Sequence, residues 1–255
     1  MEFKSYFGEF LGTFILTSIG CSAVAFDILF SAFSSIIPVA LIWGFGVTLA
    51  IYTVKPYSKA HLNPAVSLGF SLLKEISLRE LIKNCFFQLL GGIMAGLLVY
   101  TLFISRIEEF ELFENISQNN TEWQKTAAIF GEFFPNPMNN SLEKLSSEIA
   151  FFYEFVGTFI LMTGILLFRS FNKFSKISPV LVGLTVAVLI IWIAPFTQCG
   201  INPARDFGPR LVAYILRWGD FAFPRKEFSF LFVYILAPLL GAALSSISFK
   251  YLRKQ

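Results

Sequence analysis

Apolar residues fall along this chain in blocks separated by short polar stretches. The blocks run from about Tyr6 to Phe30, Ile36 to Val54, Leu81 to Ile104, Ile149 to Phe168, Pro179 to Ala194 and Phe228 to Phe249. A helix that crosses a bilayer needs about 20 mostly apolar residues, and these blocks are near that length. Two further apolar pieces, Asn63 to Leu73 and Asn202 to Leu216, are too short to cross. The stretch Ser105 to Ser147 is polar and acidic and contains Pro135-Asn136-Pro137, which breaks regular structure. The pattern predicts an all-α polytopic membrane protein with six spans, two short half-spans and one long extramembrane loop.

Composition supports this. Of 255 residues, 55% are hydrophobic and 15% are charged. Globular proteins usually carry roughly 25% charge. A soluble enzyme, a disordered chain and a nucleic-acid module all fit poorly, and a net charge of +3 supplies no basic stripe for nucleic acid. The single histidine is His61, and Cys21, Cys85 and Cys199 lie far apart. No zinc, haem or iron–sulfur spacing can be built from them. No metal, cofactor or catalytic group is expected.

Charge placement orients the spans. Lys55, Lys59, Lys74, Arg79 and Lys83 lie between the second and third blocks, and Arg169, Lys173 and Lys176 between the fourth and fifth. Lys250, Arg253 and Lys254 form a basic tail. Cytoplasmic loops carry excess Lys and Arg, so both termini are expected inside and the acidic loop outside. Arg205, Arg210, Arg217 and Arg225 run against the rule.

The two halves repeat. Glu9-Phe10-Leu11-Gly12-Thr13-Phe14-Ile15-Leu16 returns as Glu154-Phe155-Val156-Gly157-Thr158-Phe159-Ile160-Leu161, and Asn63-Pro64-Ala65 returns as Asn202-Pro203-Ala204. Three spans per half is an odd number, so the second half enters the membrane inverted. Short interrupted segments at matching points of such a repeat mark a pathway. The expected organisation is a single domain over 1–255: a first repeat over about 6–104, an outer loop over about 105–147 and a second repeat over about 148–250.

Each short segment starts as a helix should. Asparagine caps a first turn well, and proline fits there because its missing N–H would be unpaired anyway. Inversion brings the two helix starts together near the membrane midplane. Irregular backbone at that depth is tolerated only inside protein or beside a water-filled cavity. The segments Ser58 to Leu62 and Thr197 to Ile201 are thus expected to line a pore through their carbonyls. Gly92 and Gly96 form a small-xxx-small pair for close helix packing, and Gly12 and Gly157 are read the same way at the pseudo-twofold.

His61-Leu62-Asn63-Pro64-Ala65-Val66 and Gly200-Ile201-Asn202-Pro203-Ala204-Arg205-Asp206-Phe207-Gly208-Pro209 resemble the two signature loops of the aquaporin (major intrinsic protein) family. Asp206, Trp43 in Ile42-Trp43-Gly44 and Pro135-Asn136-Pro137 resemble its glycerol-facilitator branch. The resemblance runs from about Gly8 to Lys250 and implies a homotetramer with one pore per subunit. It implies that Asn63 and Asn202 present amide donors at the centre, and that carbonyls of Lys59, Ala60, His61, Gln198, Cys199 and Gly200 form a ladder on either side. It also implies that Glu9 and Glu154 hold the loops through backbone N–H groups. Counting from Asn202, the filter positions are Trp43, Ile190, Cys199 and Arg205. Ile190 adds bulk where the branch has glycine, and Cys199 removes an aromatic wall, so the two volume changes oppose each other. Lys59 replaces a glycine near the cytoplasmic mouth.

The function expected is a passive channel in the plasma (inner) membrane. It would pass glycerol, other small uncharged solutes and water, and exclude protons and ions. Its partners would be those solutes and the lipid bilayer, with no nucleic acid. Alternatives are a narrower water, gas or small-acid pore, or a proton-coupled transporter, which would need a titratable pair or ion site at the midplane. A membrane enzyme would need a nucleophile, base or metal cluster.

Overall fold

The computed structural model describes residues 2–118, 120–139, 145–171, 176–224 and 229–253. Glu143, Lys144, Lys173, Arg225, Phe228 and Lys254 lie outside these. Helix α1 covers Glu2–Phe30, α2 Ile36–Val54, α3 Pro64–Leu72 and α4 Leu78–Phe113. A 3-10 turn at Thr121–Trp123 leads into the single turn α5, Gln124–Ala127. Then come α6 (Ser147–Ser170), α7 (Ser178–Thr197), α8 (Pro203–Ala213) and α9 (Ala237–Leu252), the last preceded by a π-helical turn at Leu231–Leu236. Six of the helical stretches are long and apolar enough to cross a membrane, and no strand occurs among the described residues. The protein is an integral, multi-pass, all-α membrane protein.

Local chemistry sets the helix ends. The Ser77 Oγ accepts from the Glu80 N–H at 3.2 Å while the Glu80 carboxylate accepts from the Ser77 N–H at 2.8 Å. This reciprocal box starts α4. The far end of α4 differs from the expected limit at Ile104: the helix continues to Phe113. Residues 105–113 contain neither glycine nor proline, so polarity alone does not stop the helix. Glu111 is buried there, accepting from Trp123 Nε1 at 3.0 Å, Thr126 Oγ1 at 2.6 Å and Arg217 Nη2 at 2.6 Å.

Packing follows the repeat. Helix α1 lies on α4 and α6 on α9, while α2 and α7 pair across the middle. The half-helices cross over: α8 packs on α4 of the first half and α3 on α9 of the second. Such contacts need backbones to touch. A Cβ on Gly91 would come within 2.3 Å of the Phe10 carbonyl oxygen, and one on Gly241 within 2.3 Å of that of Phe155. Gly92 and Gly96 seat α8, since their Cβ atoms would meet the Ala204 carbonyl oxygen at 2.4 Å and Pro209 Cα at 2.6 Å. Gly12 faces a loop rather than a helix, whereas Gly157 packs α6 on α7 as expected and also faces a loop. A Cβ on Gly12 would strike the Leu62 side chain at 2.4 Å, and one on Gly157 would strike Ile193 at 2.5 Å and Ile201 at 3.1 Å. They clear room for the loops that enter α3 and α8. Outside, Phe45, Leu102, Val188 and Leu231 stand exposed, as expected where the solvent is hydrocarbon.

Candidate permeation site

The two half-helices meet start to start. Asn63 Oδ1 accepts the Ala65 N–H at 2.8 Å, and Asn202 Oδ1 accepts those of Ala204 at 3.1 Å and Arg205 at 3.3 Å. Those partners can only donate, so each amide turns its oxygen to its own helix and its NH2 away. Asn63 Nδ2 then donates to the Ile201 carbonyl at 2.9 Å, and Asn202 Nδ2 to the Leu62 carbonyl at 2.8 Å. Each half thus clasps the other. An NH2 group carries two donors, so one N–H of each amide remains.

The loops entering the half-helices are strained in matching places. Ala60 and Leu62 have φ of +53° and +53°, and Cys199 and Ile201 have +71° and +42°. A left-handed conformation at such residues costs about 1–3 kcal/mol each and persists only when the surroundings dictate it. Two carboxylates do so. Glu9 Oε1 accepts from the His61 N–H at 3.0 Å and the Ser58 hydroxyl at 2.8 Å, and its Oε2 accepts from the Leu62 N–H at 2.7 Å. Glu154 Oε1 accepts from the Gly200 N–H at 2.8 Å and the Thr197 hydroxyl at 2.6 Å, and its Oε2 accepts from the Ile201 N–H at 2.6 Å. Both acids are fully buried, with 1% and 0% of their surface exposed. A buried carboxylate is tolerable only when its lone pairs are filled this way.

A cavity of about 450 Å³ runs along these loops. Asn63, Asn202, Lys59, Ala60, His61 and Gly200 line it, together with Trp43 and Arg205. Leu16, Val47, Leu161 and Val182 form apolar walls. The Arg205 guanidinium lies over the Trp43 ring, 4.3 Å from its centroid, and donates to the Cys199 carbonyl at 2.6 Å. It also forms a buried ion pair with Glu132. Arg205 therefore faces the cavity on one side and a carboxylate on another.

Residues 1–249 match the family described as Major intrinsic protein. The chain belongs to the major intrinsic protein family. Among curated relatives of this family, the chain is 37% identical to the glycerol uptake facilitator protein of Pseudomonas aeruginosa over 98% of its own length and 88% of that protein. It is 33% identical to that of Escherichia coli, covering 96% and 86%. The propanediol uptake facilitator of Citrobacter freundii is 34% identical, covering 96% and 90%. In three dimensions it resembles the aquaglyceroporin from Plasmodium falciparum, with a TM-score of 0.83 at 28% identity, covering 99% and 97% of the two chains. The family is one of channels rather than enzymes.

Within this major intrinsic protein, not all expected pore positions gather at the cavity. Ile190 on α7 and Cys199 are buried but do not line it. The Cys199 carbonyl is engaged by Arg205, and Gln198 turns its side-chain oxygen to accept the Phe133 N–H at 2.7 Å. Pro64, Ala65, Pro203 and Ala204 are buried in the first turns of α3 and α8, behind their asparagines.

Other residues at this site carry no motif. Gln88 Nε2 reaches Glu9 Oε2 at 2.7 Å and the Ser67 hydroxyl at 3.0 Å, and that hydroxyl lies 3.2 Å from His61 Nδ1. The His61 ring stacks on Phe70 with centroids 4.5 Å apart. Glu132 belongs to the outer loop, whose stretch from Ala127 to Phe134 is apolar apart from this one acid and buried throughout. The Glu132 N–H donates to Asp206 Oδ1 at 2.6 Å, and its carbonyl accepts from Arg210 at 2.5 Å. The only sequence signal was the apolar run Ala127-Ala128-Ile129-Phe130 within a polar loop.

Proposed function

We propose that this chain is a passive channel for glycerol and other small uncharged solutes, with water, that excludes ions and protons. The observation that carries this reading is the pair of asparagine amides on the cavity, each with one N–H spent on the opposite half and one left over. A hydroxyl or water oxygen passing between them can accept from both. The starts of α3 and α8 add positive partial charge at the same place, which repels cations and protons. A solute oriented by two donors points its own protons outward, which interrupts a proton wire. The apolar walls suit the carbon side of a polyol, and Arg205 offers donors to its hydroxyls. The relatives that are facilitators of glycerol and propanediol uptake point to the same solutes.

The lysine- and arginine-lined part of the cavity is assigned to the cytoplasmic side of the plasma membrane, and both termini with it. Membership of the family supports a homotetramer with one pore per subunit. Stopped-flow light scattering on proteoliposomes tests the solute: a glycerol gradient should relax well above the empty-vesicle rate, independently of any proton gradient. Glycerol flux equal to that of empty vesicles overturns the reading. One observation favours a narrower water pore as the second reading. The carboxylate of Glu132 already occupies part of the Arg205 guanidinium, which leaves fewer donors for a polyol. Water flux without glycerol flux in the same assay would select it.

A further inference from the structure

The cavity also carries a basic group of residues, although the solute read above is uncharged. Lys55 at the end of α2, Lys59 in the first loop and Arg169 in the last turn of α6 all line it, against one acid, Glu75. Lys59 Nζ donates to the Glu75 carbonyl at 2.9 Å, and Arg169 Nη2 donates to Glu75 Oε2 at 2.9 Å. Arg169 also lies over the Phe70 ring, 4.8 Å from its centroid. These contacts draw both cations to one rim and use few of their donors, since an ammonium has three N–H groups and a guanidinium five. Ser178 and Pro179 at the start of α7 line the same rim, and the capping position Ile177 supplies no side-chain acceptor to that helix start. An uncapped helix start favours an anion.

We propose that this rim is a binding site for a phosphate dianion, free or as a small phosphate monoester, and that an occupied site slows solute passage. A tetrahedral dianion presents several acceptor oxygens to Lys55, Lys59 and Arg169 at once, and Ser178 brings a hydroxyl to the same rim. Arg169 is suited to it because its planar fork matches phosphate oxygens two at a time. A bound anion stands in the route between the cytoplasm and the asparagines. A neutral solute gains nothing from three cations, whereas an anion is held there, because moving on between the apolar walls of Leu16, Val47, Leu161 and Val182 would strip it of its water.

The slowing of flux rests on the channel reading; the binding does not, so the two are measured separately. Thermal unfolding of the purified full-length chain in detergent is followed with inorganic phosphate, with the phosphate monoester of glycerol, and with chloride at equal ionic strength. At least one phosphate species should raise the unfolding midpoint saturably while chloride does not, as a ligand of the folded state must. Whichever species does so identifies the source. The paired change Lys55→Gln with Arg169→Gln should abolish the rise. Glu75→Gln, which removes the one acid among the described lining residues, should lower the half-saturating concentration by about threefold, a gain that a damaged fold would not give. Equal rises with chloride, or an undiminished rise in the paired variant, overturns the site. In proteoliposomes the same species on both sides should slow glycerol flux at least about twofold in the native chain and not in the paired variant, each compared with its own flux without phosphate. Binding without slowing overturns the regulatory half of the proposal. Absence of glycerol flux in every condition counts against the channel reading instead and leaves the binding result standing.

Discussion

Glu132 closes on Arg205 as an ion pair with only 7% and 6% of the two side chains exposed. The pair joins the outer loop to the second half-helix beside the cavity. Removing one partner of a buried pair strands the other charge and costs about 3–5 kcal/mol, whereas removing both costs much less. Glu132→Ala and Arg205→Ala should therefore each destabilise, and the double change should fall short of their sum by about 2 kcal/mol or more. Thermal unfolding in detergent measures the cycle. Additive effects within about 0.5 kcal/mol would show that the pair is not coupled. In flux assays Arg205→Ala should also broaden the range of solutes passed, and unchanged selectivity would place the filter elsewhere.

The strained loops depend on Glu9 and Glu154. A glutamine in either place keeps one acceptor oxygen and turns the other into a donor that faces a backbone N–H. Each of Glu9→Gln and Glu154→Gln should cost about 1–3 kcal/mol for the N–H left unpaired. Flux should fall at least about tenfold, because Leu62 and Ile201 hold the carbonyls to which the asparagines donate. Unchanged flux from both variants would mean that the loops keep their shape without the carboxylates.

Much of this arrangement was legible because it is repeated. Glu9 and Glu154 stand at one spacing and Asn63 and Asn202 at nearly the same one, so an inverted pair of half-helices followed from chain order and capping chemistry. Gly12 shows the limit. Its surroundings read as a helix-packing motif, yet what fills the space is Leu62, a residue from a loop whose left-handed backbone leaves no local trace in sequence. Gln88 reaches Glu9 from a different helix, and such a contact depends on the angle between α1 and α4. Glu132 was hidden by composition. Among the acids of the outer loop it looks like another solvated charge, and only the folding of its apolar neighbours onto α8 makes it a partner for Arg205.

The asparagine amides are also a charge boundary. Asn63→Asp or Asn202→Asp would place a carboxylate where two helix starts meet, and would remove the donor that clasps the opposite loop. The positive partial charge that repels cations would then be cancelled or reversed. Either variant should leak cations, measurable as dissipation of a proton or sodium gradient by a dye trapped in proteoliposomes. Tight vesicles with normal solute flux would show that ion exclusion resides elsewhere, at Arg205 first of all.

The close helix contacts set a final expectation, which separates glycines by what surrounds them. In an ordinary exposed helix, alanine is better than glycine by about 1 kcal/mol. At Gly164 the nearest atoms to an added Cβ would be the Phe168 ring at 3.3 Å and Thr185 at 3.7 Å, so Gly164→Ala should be neutral or slightly stabilising. At Gly92 the same methyl would press the Ala204 carbonyl oxygen at 2.4 Å, and backbone on both sides cannot turn aside as a side chain can. Gly92→Ala should cost about 1–3 kcal/mol by overpacking. It should also reduce flux, because α8 carries Arg205 directly after Ala204 and any outward shift moves the guanidinium from the Trp43 face. Unfolding midpoints and solute flux of the two variants, compared side by side, check this. A Gly92→Ala protein as stable and active as Gly164→Ala would mean that α8 is not held by its contact with α4.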